Sequence, residues 1–456
     1  MTESLIPVVD SIPGPLGLLS VLLFATFILH LLLMNAVVGV AAITFTRKLR
    51  ALMGAKRGRK PPDDGAGVSE VDIPVSTERG TLRARLEFTQ DTLLPKGVAL
   101  TVNLGIAPFL FMQCLYAQYI YVSSVLMAQW WLAVMLIVML AYYGTYLNMS
   151  TGGLSDRSRT IALGLSLLLL LLNAFLFVNN MTLLQQPERW TAYAAEAGGS
   201  FLNFMDPQVP PRYLHVVLSC LAVGGLCLAL PEEHALRAAR AGNNGERERH
   251  ERKKRAALSW FLWASVFQVP IGLWFFLALD KPQQQLFMGG SVTATALLAV
   301  SGLLLIAALY CAWTRRAYAA AAALLPVIVC MAGMRDMLRK SLLAPYYDVT
   351  PRPFEAGPVL LFAGCLAVSA VILYRLGKIY LRDKAEETAL LPDAGDAAAA
   401  PPHPAGAPVP AYASAAGAAA DDDRRDILLV LEIPSRYPPD DGEDDSSESD
   451  AGGDSI

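Results

Sequence analysis

An all-α, polytopic membrane helix bundle with about nine transmembrane helices is the fold class this sequence predicts, and three observations predict it. Of the 456 residues, 54% are hydrophobic and only 17% are charged, whereas soluble domains carry about 25% charged residues. The apolar residues gather into runs of about 20 or more, the length an α-helix needs to cross roughly 30 Å of hydrocarbon. Lys and Arg gather in alternate connections between those runs, which marks cytoplasmic loops. A soluble enzyme and a nucleic-acid-binding protein are both excluded. The net charge of −3 sums basic loops and an acidic C-terminal stretch, so neither argues for a polyanionic substrate.

The first span, 16–45, opens after the SIPGP cluster and closes at Arg47, Lys48 and Arg50. The N-terminal MTESLIPVVDSIPGP lacks the basic region and small-residue cleavage site of a signal peptide, so this run is expected to remain as a helix. The second, 97–122, carries Asn103, Gln113 and Gln118, and the third, 126–148, is the run AQWWLAVMLIVMLAYYGTYL. The fourth, 160–183, follows Arg157 and Arg159 and carries Asn173, Asn179 and Asn180. The fifth, 212–231, follows MDPQVPP and ends before a loop holding Arg247, Arg249, Arg252, Lys253, Lys254 and Arg255. In the sixth, 256–279, Pro270 frees a carbonyl and kinks the helix beside Gln268, a polar notch able to take a quinone headgroup. The seventh, 286–313, closes at Arg315 and Arg316; the eighth, 317–338, runs into MRDMLRK; the ninth, 357–380, ends among Arg375, Lys378 and Arg382.

Placing the two most basic connections, 47–60 and 247–255, in the cytoplasm puts the N-terminus outside and the C-terminus inside, and every other basic cluster agrees. The loops left outside, 184–211 and 340–356, are rich in Pro and Tyr. Residues 1–384 thus form the membrane domain. Residues 385–456 are expected to be a disordered, acidic, Ala/Pro-rich cytoplasmic tail, and the loop 61–80 to be disordered as well. Within the tail, DILLVLEIP at 426–434 is either a low-complexity accident or a strand that adds to a partner's sheet. The six cysteines all lie in apolar runs without paired spacing and are expected to pack. The absence of CxxCH excludes covalent heme attachment.

Polar side chains inside spans are costly and become the functional candidates. His234, His250 and His403 fall in the basic loop and the tail, which leaves His30 in FILHLLLMNAVVGV and His215 in PPRYLHVVLSCLAVGGL. Each either bonds a neighbouring helix or ligates heme iron, which requires a neutral imidazole projecting into an apolar slot. Gly224 and Gly225 are expected to leave room for something large against the fifth helix. Asp336 lies beside Arg335 and Arg339, as a local ion pair or as a site where the arginines bind heme propionates. His30, His215 and this segment fall on one level, which points to one site. Most of the other intramembrane polar residues are expected to bond between helices.

These segments resemble subunit I of the cytochrome bd quinol oxidase superfamily, over about 380 residues. ILHLLLMNAVVGVA resembles the family's opening helix, whose histidine binds the high-spin heme, so the resemblance implies that role for His30. FVNNMTLLQQPERW resembles the A-N-G-W-M-Q-x-P signature of the fourth helix. MDPQVPPRYLHVVLSCLAVGGL resembles the fifth helix, whose histidine ligates the low-spin heme b, here His215. Met288 is the implied second ligand of that heme, the plain alternative being a thioether that fills a helix contact. The MRDMLRKSLLAPYY segment is closest to the R-E-x-x-R-K-P-Y pattern of divergent branches that accompany c-type cytochromes, with Asp336 in place of the heme-ligating glutamate.

The resemblance implies a multi-pass protein of the bacterial cytoplasmic membrane binding heme b, more than one copy, and passing electrons between membrane quinol and an external c-type cytochrome or a second membrane subunit. The family's acids are missing from the third span and from the second, where Gln113 stands near the place of one. The quinol-binding loop after the sixth helix is reduced to DKPQQQ. Oxygen reduction is therefore not expected to be the main activity. The competing classes are a terminal oxidase with a different proton path and a heme-free transporter or structural subunit.

Overall fold

The computed structural model describes residues 14–56, 78–149, 153–194, 198–238, 244–346 and 356–389. Two compact units are present, Met1–Leu366 and Ala367–Ile456, and the described part of the second is the remainder of the last helix. The tail beyond Ala389, with its 426–434 segment, and the loop 61–77 lie outside the described residues.

The elements are helical throughout the described residues: α1 (Leu16–Lys56), α2 (Glu78–Leu126), α3 (Ala128–Met149), α4 (Asp156–Leu184), α5 (Val209–Ala238), α6 (Asn244–Leu277), a short α7 (Lys281–Gln285), α8 (Val292–Trp313), α9 (Ala317–Leu343) and α10 (Ala356–Ala389). Among the described residues nine of these are long and apolar enough to cross a membrane, and the chain is a multi-pass membrane protein. Large apolar side chains such as Leu132, Met135, Leu303 and Ile306 are exposed on the bundle surface, as lipid-facing residues must be.

The helices overrun the predicted spans where charge begins. α1 continues through Arg47, Lys48 and Arg50, and α6 starts within the basic segment at Asn244. An α-helix satisfies its own backbone in water as in lipid, so charge marks the membrane boundary without ending the helix. The seventh span differs for another reason. Residues Leu286–Gly290 form a π-turn in which Gly289 takes φ 104°, and α8 begins only at Val292, N-capped by Ser291.

Successive spans alternate in direction, and hydrogen bonds tie each end of the bundle. At one end, here called the Gln186 end, Gln129 N donates to Gly199 O at 3.0 Å and Phe201 N to Leu126 O at 3.2 Å. Tyr119 Oη donates to the carbonyl of Tyr346 there at 2.8 Å. At the opposite end, Lys48 Nζ donates to Asn148 Oδ1 at 2.8 Å. Glu233, buried between helices, accepts from Arg237 and from the backbone N–H of Ala317. A carboxylate at the first residue of α9 meets the positive end of that helix's dipole.

Gly224 and Gly225 do not leave room for a large group. A Cβ on Gly224 would fall 2.6 Å from Gly39 Cα in α1, and one on Gly225 would fall 2.8 Å from the Ala257 carbonyl oxygen in α6. The glycines are spent on close backbone approach, the usual use of small residues where lipid offers no hydrophobic drive between helices. Ala308, Ala312, Ala317 and Ala320 extend the same small-residue packing across α8 and α9 around Phe261. All six cysteines are free; Cys220 and Cys330 are buried in the packing, Cys114, Cys227 and Cys311 are partly buried, and Cys365 is exposed, against expectation.

Candidate functional site

The spacing of α1 and α5 decides where the two histidines stand. Both helices start at the Gln186 end and touch at Gly39 and Gly224. One turn back, Cys220 Sγ donates to Asn35 Oδ1 at 3.2 Å on the same seam. His30 precedes Gly39 by nine positions (39 − 30), and His215 precedes Gly224 by nine (224 − 215). At about 1.5 Å per residue both lie some 13 Å along their helices from the contact, on one level. Nine residues at about 100° each amount to two and a half turns, so both imidazoles leave the side of the helix opposite the seam. The shared level follows from this contact; His30 faces α2, while Arg212, one turn before His215, faces Phe275 of α6.

His30 turns onto α2. Its ring rests against Gly105, where a Cβ would come within 2.8 Å of Cε1, and Nδ1 lies 3.1 Å from the Thr101 carbonyl oxygen. A carbonyl only accepts, so Nδ1 carries the proton and Nε2 keeps its lone pair. That tautomer, with one ring nitrogen tied to a backbone carbonyl, is the one a metal-ligating histidine uses. His215 has a buried Nδ1 without a hydrogen-bond partner among the described residues.

α9 carries the cations alongside. Arg335 lies with its guanidinium carbon 4.4 Å from the ring centroid of Phe27, one turn before His30. Among the described residues it makes no hydrogen bond and no ion pair, and it lies within electrostatic reach of both Arg339 and Arg212. Arg339, 6% exposed, sits over Tyr116 at 4.6 Å. It pairs with Asp336 and leaves Nε buried without a partner. Asp336 is shared with Lys340 at 2.7 Å. One carboxylate thus serves two cations while Arg335 stands beside them.

Arg212 is the residue sequence reasoning missed. It lies one turn before His215, a spacing that was legible, and stacks over Phe275 at 5.1 Å. Its guanidinium donates to Thr182 Oγ1 at 3.1 Å, Gln185 Oε1 at 3.4 Å and Gln208 Oε1 at 3.3 Å. Two of these acceptors, Gln185 and Gln208, come from the 184–211 connection. Asp206, 2% exposed, accepts from Gln186 Nε2 and from Gln208 N, each at 2.8 Å, and pairs with Arg189 at 3.3 Å. Asn203 Nδ2 closes the network on Gln186 Oε1 at 2.8 Å. The QQPERW and MDPQVPP segments thereby become one buried polar cap over the start of α5.

Met288 stands apart from this group. Its side chain is 69% exposed, while Phe287 is 6% exposed and packs with Met334 and Leu338. The π-turn presents Phe287 to the core and Met288 to the surface. The amide of Gln268 is also engaged, donating to Ser219 Oγ at 2.8 Å in α5, so the notch beside Pro270 is an interhelical bridge. Among the described residues no three His, Cys, Asp or Glu side chains converge on one point. The donors on offer are single histidines with cations nearby, a set suited to a metal whose remaining ligands come from a macrocycle. Compared with known proteins, the sequence matches no protein-family model and no curated sequence.

Proposed function

We propose that this protein is a heme b-binding electron-transfer subunit of a respiratory chain in the bacterial cytoplasmic membrane, passing electrons between membrane quinol and an external c-type cytochrome or a second membrane subunit. The observation that carries this is the pair of level histidines on α1 and α5, each turned to its own side of the seam, with incompletely paired arginines beside them. His30, tautomer set by Thr101, and His215, with a buried nitrogen free, both fit axial ligation of iron. Heme iron, when bound, supplies one-electron redox chemistry in an apolar setting. Arg335, Arg339 and Arg212 would hold the heme's carboxylates by charge-assisted hydrogen bonds, with Asp336 keeping Arg339 in place. Two separate histidine sites support more than one heme.

The resemblance to bd oxidase subunit I and the positive-inside bias support an outward-facing Gln186 end, where an external cytochrome would dock. α3 offers Thr145 and Asn148 as its buried polar residues and no acid, which supports electron transfer over oxygen reduction. A dithionite-reduced minus oxidised spectrum of the purified protein tests this reading: Soret and α-bands of heme b are expected, and their absence from protein purified with heme supplied would leave a transporter or structural subunit.

A further inference from the structure

α2 is broken at Tyr116, whose φ −131° and ψ 37° are not helical. On an unbroken helix Gln113 and Gln118, five residues apart, would point about 140° away from each other. With the break between them, both line one groove of about 520 Å³ together with Phe109, Tyr121, Ser124 and Trp131 of α3. Gln118 is only 8% exposed, and neither glutamine makes a hydrogen bond among the described residues. Both amides therefore open onto the groove with their donors and acceptors uncommitted, available to a ligand.

We infer that this groove binds the ring of a quinone or quinol. No charged residue lines it, which disfavours a phosphate or ammonium headgroup. Two amides and a serine provide donors and acceptors for ring oxygens. Phe109 and Trp131, with centroids 6.0 Å apart and planes tilted by 37°, form an aromatic wall for a flat ring. Tyr121, 71% exposed, marks the side open to hydrocarbon, where an isoprenoid tail lies. The turn of α2 that carries Gln113 and Ala117 also carries Met112 and Tyr116, which touch Arg339. Thr101 and Gly105, which seat His30, lie on the same helix. The groove begins at Phe109, about one turn of α2 beyond Gly105. The site deepens the electron-transfer proposal and rests on it for its purpose, while its geometry stands independently.

The test is photolabelling of the purified full-length protein in nanodiscs with an azido-substituted decyl-benzoquinone and with its naphthoquinone counterpart, mapped by peptide mass spectrometry. Binding is measured in parallel by quenching of tryptophan fluorescence, and heme content is recorded on each sample. Labels are expected within 109–131, and Gln118→Leu and Gln113→Leu are each expected to weaken binding about tenfold. Gln113 is exposed and unbonded, so its variant remains informative if Gln118→Leu fails to fold. Lipid-facing Leu132→Ala should change nothing. Labels confined to other segments, or Gln113→Leu binding with wild-type affinity, overturn the groove even where heme is present. Labels at 109–131 in protein without heme absorbance uphold the groove and overturn the electron-transfer reading instead.

Discussion

Gly39 of α1 and Gly224 of α5 meet backbone to backbone: a methyl group built on Gly224 would lie 2.6 Å from Gly39 Cα. That contact sets the axial register of the two histidine-bearing helices. It also explains the double glycine in AVGGL, whose second member plays the same part against α6.

Gly224→Ala should therefore destabilise the bundle by overpacking, by about 1–3 kcal/mol, and reduce heme retention at both histidines. Gly272→Ala, where an added Cβ meets nothing within 4 Å, is the control. Equal thermal midpoints for the two variants in the same detergent would mean that the α1–α5 seam tolerates separation.

His215→Ala should abolish the low-spin heme b signal while the protein still inserts. On the proposed assignment of one heme to each histidine, the signal from the His30 side should survive. A difference spectrum identical to that of the unsubstituted protein would remove His215 from the ligand set.

Arg339→Leu should lower heme content or shift a midpoint potential downward. The sign follows from charge: the reduced form of the site is more negative by one unit, and a removed cation destabilises it relative to the oxidised form. Redox titration with unchanged potentials and full heme by pyridine hemochrome would reduce Asp336, Arg339 and Lys340 to a structural ion network.

Asp206→Ala should loosen the polar cap, because Gln186, Gln208 N and Arg189 lose a common buried acceptor. A destabilisation of about 2–3 kcal/mol is expected, with faster proteolysis within 187–208. Unchanged cleavage of that segment would show that the cap holds without its central carboxylate.

Isolated protein supplied with reduced quinol should reduce its hemes rapidly and consume oxygen slowly. Fast, cyanide-sensitive oxygen uptake without a partner would instead establish a terminal oxidase with an unrecognised proton path.

The number and order of the spans were legible in the sequence because the hydrocarbon thickness imposes a run of about 20 apolar residues on every crossing helix. His30, His215 and the arginines of α9 were legible for the same reason, since an ionisable side chain stands out against such a run. Rotation of each helix about its axis was not. Membrane helices are apolar on all sides, so no amphipathic stripe says which face turns inward; neighbours distant in sequence decide it. Only the tertiary structure could show that Gly224 is filled by α1, that Met288 faces outward while Phe287 packs, and that Arg212 joins the cations of α9. The break at Tyr116 belongs to the same class: it brings Gln113 and Gln118 to one groove, which no local pattern along α2 records.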